Sequence, residues 1–349
     1  VRPMSRLLAF KILGKLVMDF NGVVCPTGFS RPITFIRGCT LCTALQDTLL
    51  YSDGCSVYMI KELDSQKQEE TPGTAIEPLQ LIFLDQREAI TDSDLIIVLH
   101  ALPDAPKKHV ALATLGGAVY LAELADSTLY LAMLHQTECY GAKAFLSGIV
   151  EGRKLLGVLC TSASHLFIFD VEKATLLFET CIDVDVPVSG VFSGSNLYLV
   201  CRQSLIAYDV VYQQDTSVSV MFKSFARLPL NGARVLCSRF SHSGIFLLGL
   251  NTRQVCAVDK TGASVSTWCK VSKYEPLYVL DSRGTTGTER ITIAAVSNEV
   301  TTQQQGSKER VSEFRTDGMI IGMAETATFL VFLTEETIYF YLRDKKQAE

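Results

Sequence analysis

Leu155-Leu156-Gly157-Val158-Leu159-Cys160, then Thr161-Ser162-Ala163-Ser164, then Leu166-Phe167-Ile168-Phe169-Asp170, decides the fold. Two short runs of aliphatic and aromatic residues flank a four-residue polar turn, which is the pattern of two antiparallel strands. Neither run alternates strictly between apolar and polar, so both faces of the pair are expected to be covered. The same unit returns outward along the chain. Asn196-Leu197-Tyr198-Leu199-Val200 is followed by Leu205-Ile206-Ala207-Tyr208-Asp209, and Ile245-Phe246-Leu247-Leu248-Gly249 by Val255-Cys256-Ala257-Val258-Asp259. A further copy is Phe329 to Leu333 with Ile338 to Leu342, and weaker ones cover Thr48 to Ile60 and Val110 to Leu124.

The strand-ending aspartates set the period. Asp126 to Asp170 is 44 residues, Asp170 to Asp209 is 39 and Asp209 to Asp259 is 50. Asp259 to Asp344 is 85, two periods with a degenerate copy near Ile291 to Val296. A period of about 40–50 residues with four short strands is that of a propeller blade. Units at 39–85, 91–134, 141–182, 187–224, 232–271, 275–316 and 319–344 predict an all-β, seven-bladed β-propeller forming a single domain over 1–349. Residues 1–20 are its closing strand or arm, and Ser5 to Phe20 is expected to pair beside Ile338 to Leu342. Ala122 to Leu134 reads either as a helix or as two strands about a turn at Asp126 and Ser127. Asp64 to Pro78 and Thr301 to Arg310 read as inserted loops, as does the turn Pro103 to Lys108.

The repeats resemble the WD40-like and quinoprotein-like β-propeller superfamilies. Asp170-Val171-Glu172-Lys173-Ala174-Thr175 is similar to the aspartate-turn-strand join of both, and Val255 to Gly262 with Trp268 is similar to a quinoprotein-type repeat. The chain has neither a Trp-Asp dipeptide nor a Gly-His pair.

Composition narrows the function. With 48% hydrophobic and 20% charged residues the chain is globular, and at a net charge of −5 no run of Lys and Arg offsets the acidity. Direct nucleic-acid binding is therefore not expected. The 11 cysteines are odd in number and irregularly spaced, and no asparagine begins a glycosylation sequon. Both point to a reducing compartment, cytoplasm or nucleus. No run of about 18 apolar residues suggests a spanning helix. The basic start, Val1 to Leu16, reads as an arm and not as a presequence, since it lacks serine enrichment.

No catalytic, cofactor or metal site is expected. The nucleophile elbow, the phosphate loop and the H-E-x-x-H zinc helix are missing. His165 and His242 sit in or beside apolar strands and read as structural. Cys39 and Cys42 form the single C-x-x-C, with no second ligand pair. Asp170, Asp209 and Asp259 could line a channel but read better as turn formers, and Trp268 reads as packing. The expectation is a non-catalytic protein-protein interaction scaffold within a larger complex, with loops 64–78, 103–109 and 284–290 as candidate contacts. The alternatives are a channel-site enzyme of quinoprotein-like type and a recognition subunit of a nucleic-acid-modifying complex.

Overall fold

The computed structural model describes residues 29–34, 41–45, 48–52, 54–61, 79–84, 96–102, 108–137, 142–160, 165–213, 217–241, 243–270, 274–283, 289–295, 299–304, 310–316, 318–320, 322–325, 329–334 and 337–342. These residues contain strands and no helix. Strand β1 is Phe29–Thr34. A three-stranded sheet follows, from β2 (Leu41–Leu45), β3 (Thr48–Ser52) and β4 (Val57–Lys61). The second sheet has five strands, β5 (Gln80–Phe83), β6 (Ile96–Ala101), β7 (His109–Thr114), β8 (Ala118–Ala125) and β9 (Thr128–Gln136), in the order β5-β9-β8-β7-β6.

Four-stranded antiparallel meanders come next. The third sheet is β10 (Ala142–Val150), β11 (Arg153–Cys160), β12 (His165–Asp170) and β13 (Thr175–Cys181). The fourth is β14 (Pro187–Ser193), β15 (Asn196–Cys201), β16 (Ser204–Gln213) and β17 (Ser217–Arg227). The fifth is β18 (Val235–Phe240), β19 (Phe246–Leu250), β20 (Gln254–Val258) and β21 (Val265–Lys270). The sixth is β22 (Pro276–Arg283), β23 (Glu289–Ala295), β24 (Glu299–Gln304) and β25 (Arg310–Arg315). The last joins β26 (Gly322–Glu325), β27 (Phe329–Leu333) and β28 (Thr337–Leu342) to β1, in the order β1-β28-β27-β26. Five sheets thus show the four strands of a complete blade among the described residues, where the sequence predicts seven blades.

The repeated strand pairs of the sequence are the middle strands. In β11, β12, β15, β19 and β20 nearly every residue is buried, whereas the outer β13 alternates between half-buried and exposed. A middle strand is covered on both faces by its neighbours, so it carries a continuous apolar run. An outer strand is covered less and can alternate.

The chain forms two compact units. One comprises Val1–Leu112, Ala122–Ala132 and Thr316–Glu349. In it β2 lies against both β6 and β26, and the Ala101 amide donates to Thr43 Oγ1 at 2.9 Å. The other comprises Ala113–Leu121 and Met133–Arg315. There β10, β14, β18 and β22 neighbour one another in succession. One apolar cluster (Leu155, Ile168, Phe192, Leu199, Ile206) fills the space between the third and fourth sheets. A second (Tyr198, Leu205, Phe246, Leu248) fills the space between the fourth and fifth. The sheets approach closely because glycine stands at the contacts. A Cβ on Gly249 would meet Cys237 Sγ at 2.5 Å and Pro276 Cγ at 2.9 Å. The Ser189 and Ser238 hydroxyls hydrogen-bond across the packing of the fourth and fifth sheets.

Of the two readings of Ala122 to Leu134, the structure shows the two strands, turning at Asp126 with φ of 53°. Other expectations are corrected. Strand β5, assigned from sequence to the first unit, instead adds parallel to the edge of β9, with Gln80 opposite Thr128. Thr301–Gln304 is not loop but part of β24. It pairs with β23 (Thr301 opposite Ile293, Gln304 opposite Arg290), and β-branched threonines suit that half-covered ladder. Arg310 likewise belongs to β25, Arg290 to β23 and His109 to β7. The segments 64–78, 103–107, 284–288 and 305–309 lie outside the described residues, as do 1–20. The strand on the free edge of β28 is Phe29–Thr34, with Phe29 opposite Tyr341 and Thr34 opposite Thr337.

Candidate protein-interaction surface

Two features of the second unit stand out. The first is an end of the fourth and fifth sheets assembled from turns and links. Asp185, just before β14, is its anchor. Its Oδ1 accepts from the Val186 amide at 2.7 Å, and its Oδ2 accepts from the Gln203 amide and the Ser204 hydroxyl, both at 2.8 Å. That carboxylate ties the entry of the fourth sheet to the β15–β16 turn. The turn continues the web. The Arg202 amide donates to Val186 O (3.0 Å), and the Val235 amide donates to Arg202 O (2.9 Å). The Leu228 amide donates to Gln203 O at 2.8 Å. Asn251, in the β19–β20 turn, clamps the next link: its Oδ1 accepts from the Arg234 amide at 2.8 Å, and its own amide donates to Arg234 O at 3.0 Å.

Beneath this web Leu228, Leu230, Ala233 and Val235 are buried in the apolar cluster between the two sheets. Asn231 and Gly232 take positive φ (49° and 83°), which turns the chain back toward β18. The surface is therefore a set of loops on a fixed frame, the arrangement that suits recognition.

Exposed cations concentrate on this frame. Arg202 and Arg253 occupy the turns of the fourth and fifth sheets, and Arg234 the link between them. Arg227 and Lys270 end the outer strands at the same end, opposite Ser204 and Gln254 in register. All five are exposed. The segments 201–204, 228–234 and 251–253 contain no acidic residue. Asp183 and Glu275, both exposed, stand on the links that enter β14 and β22 at this end, and Asp185 is engaged by the three donors above.

The second feature is the outer strand β17. Met221, Phe222 and Phe225 are 53%, 62% and 43% exposed, although two of them are among the bulkiest apolar side chains available. Phe222 meets Tyr208 edge-on, with ring centroids 6.1 Å apart. Lys223 is turned back onto its own sheet, donating to Asp209 Oδ1 and Asn196 Oδ1 at 2.8 Å. The Asp209 hydrogen bond holds its ammonium above the ordinary lysine range.

The residues weighed from sequence are dispersed. Asp170 makes the expected turn, accepting from the Glu172 and Lys173 amides at 2.9 and 3.0 Å. Asp259 does the same with the Thr261 amide (3.0 Å) and hydroxyl (2.7 Å), and the hydroxyl bond holds its carboxyl below the ordinary range. Asp209 is neither a turn former nor a strand end; β16 runs on to Gln213, and the carboxylate pairs with Lys223. His165 opens β12 with its ring stacked on Phe167. His242 and Cys39 lie outside the described residues, and Cys42 is described only as a residue of β2. Trp268 packs half-buried against the cluster containing Leu247, Val255 and Ile291. Among the described residues no group of three or more His, Cys, Asp or Glu is arranged to hold a metal ion. No helix there is long and apolar enough to cross a membrane. The cations at this end were missed because the arginines are scattered between positions 202 and 253; the available signal was their recurrence at turns and links of successive repeats.

No protein-family model matches the chain, and no curated protein matches by sequence. Solved structures do match. The chain is similar to one from the crystal structure of the mitotic checkpoint complex, with a TM-score of 0.62 and 12% identity over 96% of this chain and 94% of that one. It is also similar to Raptor of Chaetomium thermophilum, with a TM-score of 0.62 and 8% identity over 99% of this chain. It spans only 31% of the Raptor chain. At these identities the likeness is one of fold. Repeated meander sheets, both-face burial of the middle strands and these neighbours agree: the chain has the fold of a β-propeller.

Proposed function

We propose that the protein is a non-catalytic protein-protein interaction scaffold, a subunit of a larger complex, built as a single seven-bladed ring. The observation that carries the binding role is the exposed large apolar side chains of β17, with Phe222 and Phe225 paired to Tyr208 and Ile206 on one face. Phe222, Phe225 and Met221 lie on an outermost strand, where burying them against a partner would remove apolar surface from water. Unpaired strand edges are also a common template for association. One of the solved neighbours named above supports the reading, since it comes from the mitotic checkpoint complex. Seven blades are supported by the sequential order of the sheets, including the incomplete and the extended one. Closure of the ring is supported by β1 pairing with β28, first described strand to last. A reducing compartment, cytoplasm or nucleus, and the lack of direct nucleic-acid binding belong to the same proposal and rest on composition.

The test replaces Phe222 and Phe225 by Asp, singly and together, and quantifies the proteins recovered with the tagged chain from its own cells. Both sites are exposed, so the variants fold with unchanged circular dichroism and lose a defined set of partners. Replacement of the segments 64–78, 103–107 and 284–288 by short Gly/Ser turns runs in parallel. If every folded variant recovers all partners, the interaction surface lies elsewhere. If the isolated protein turns over a small molecule, and one substitution abolishes that without unfolding it, the scaffold reading is wrong.

A further inference from the structure

We infer that the outer edge of β17 takes an extended, uncharged, apolar segment of a partner protein as a fifth strand of the fourth sheet. The inference rests on the scaffold reading and names what the β17 surface binds.

The protein contains an example of the same addition. In the second sheet the outer strand β9 has no Asp, Glu, Lys or Arg between Thr128 and Gln136. Its edge takes β5, Gln-Leu-Ile-Phe, which pairs with Thr128 to Leu131. The outer strands of the four-stranded sheets are guarded differently, mostly by charge or proline. β13 carries Glu179, β25 carries Arg310, Glu313 and Arg315, and β1 carries Arg31 and Pro32. β21 presents the small polar side chains of Ser266 and Thr267 and ends in Lys270. β17 lacks such a guard. The one charge between Ser217 and Ala226 is Lys223, and its ammonium is drawn back onto Asp209 and Asn196. At 11 residues β17 is also the longest strand described, and among the described residues it ends its sheet.

Side-chain direction selects a strand as the occupant. Phe222 and Phe225 lie opposite Tyr208 and Ile206 on one face of the sheet, while Met221 lies opposite Asp209 on the other. All three are exposed. A helix laid on either face would leave apolar side chains of the other face in water. An added strand sends its own side chains alternately to both faces, beside Phe222 on one and Met221 on the other. The ladder from Ser217 to Phe222 runs against Tyr208 to Gln213 without a register shift, so the edge it offers is straight. A charged segment is the less suitable occupant, because Lys223 is already engaged.

The experiment is a fluorescence-anisotropy titration of the folded, full chain. The probe is a fluorescein-labelled peptide with the sequence of Leu79 to Leu84 on a Gly/Ser tail. Its control is the same peptide N-methylated at alternate backbone amides, which keeps the side chains and blocks the ladder. The expected result is binding by the first peptide and about tenfold weaker binding by the second. Phe222→Lys, which restores a charge to the edge, weakens binding about tenfold or more. Phe222→Ser, with a smaller loss, guards against misfolding of the lysine variant. Amide exchange slows on binding between Val218 and Phe222 and is unchanged in β21. Absence of binding, equal binding of the N-methylated peptide, or binding unaltered by Phe222→Lys, as displacement of β5 from β9 would give, each overturns the inference. A dimer seen by light scattering and dissociated by Phe222→Lys assigns the edge to a second copy and also overturns it. Partners lost from Phe222→Asp without any binding of the peptide would leave the scaffold reading standing and remove this one. Peptide binding with every partner retained by Phe222→Asp would do the reverse.

Discussion

Gly249→Ala tests the sheet packing directly. Gly249 lies in β19 opposite Cys237, and its φ is not in the left-handed region, so the substitution strains no backbone. The added methyl carbon would sit 2.5 Å from Cys237 Sγ and 2.9 Å from Pro276 Cγ, where ordinary contact begins at 3.4 Å. One neighbour must therefore move by about 1 Å. Pro276 is a ring at the start of β22 and cannot rotate away, so the load falls on the sulfur and on the spacing of the two sheets. Overpacking of this kind costs about 1–3 kcal/mol. Against it, Ala restricts the unfolded chain and returns about 0.4–1 kcal/mol. The expected net loss is about 1–2 kcal/mol. Urea denaturation followed by the fluorescence of Trp268, the single tryptophan and a residue of the same sheet, reads it as a midpoint lower by about half a molar or more. Cys237→Ala removes the nearest clashing atom. The double variant should then lose less than the sum of the two singles, by about 1 kcal/mol. A Gly249→Ala protein as stable as the parent, or strictly additive singles, would refute the close approach of these sheets.

Further expectations concern separate parts of the fold. Asp185→Ala removes one acceptor group from three donors and should cost about 1–3 kcal/mol, with faster amide exchange at Gln203 than at Leu199; unchanged exchange would show that the clamp is not needed. Burial pushes the Cys237 thiol up to about 12, so in the folded protein it should resist maleimide at neutral pH while labelling readily in urea. The Asp259 carboxyl is lowered from 3.8 by the Thr261 hydroxyl. Its contribution is therefore present above the unfolded value and lost as pH falls through the folded one. Asp259→Ala should be the less stable protein at pH 6 and equal to the parent near pH 2, with the gap small because the group is exposed. Deleting the strand Phe29–Thr34 uncovers the edge of β28 and should lower the melting temperature or promote aggregation; an unchanged melt would argue against its pairing there.

The middle strands were legible because burial on both faces leaves a local mark, an unbroken apolar run between turn residues. The edges were not. Strand β1 reads Phe-Ser-Arg-Pro-Ile-Thr, with a proline and an arginine, and nothing in its pattern announces a strand. An edge strand needs hydrogen bonds on one side only, and here the register shifts between Ser30 and Ile33, across the proline. Strand β5 is four residues long and takes its partner from beyond β8, a choice set by tertiary proximity. Asp209 misled for a related reason: it matches the position of Asp170, but its strand continues and a lysine from β17 claims the carboxylate. The cations at the end of the fourth and fifth sheets were hidden for a third reason. Charge patches are properties of register and stacking, and residues 202, 234 and 253 become neighbours only once two sheets lie side by side.

The pairing of Phe29 with Tyr341 has a consequence for how the protein is made. β28 leaves the ribosome more than 300 residues after β1. Closing a loop of that length costs about 5 kcal/mol on a simple chain-entropy scale, and no contact between the two strands can offset it until β28 has been made. The intervening sheets, each a local meander, can form as they emerge. The sheet that pairs β1 with β28 is expected to assemble after them, leaving the edge of β28 available for wrong pairing during that interval. Synthesis at high concentration would then tend to yield intermolecular strand exchange at this one sheet.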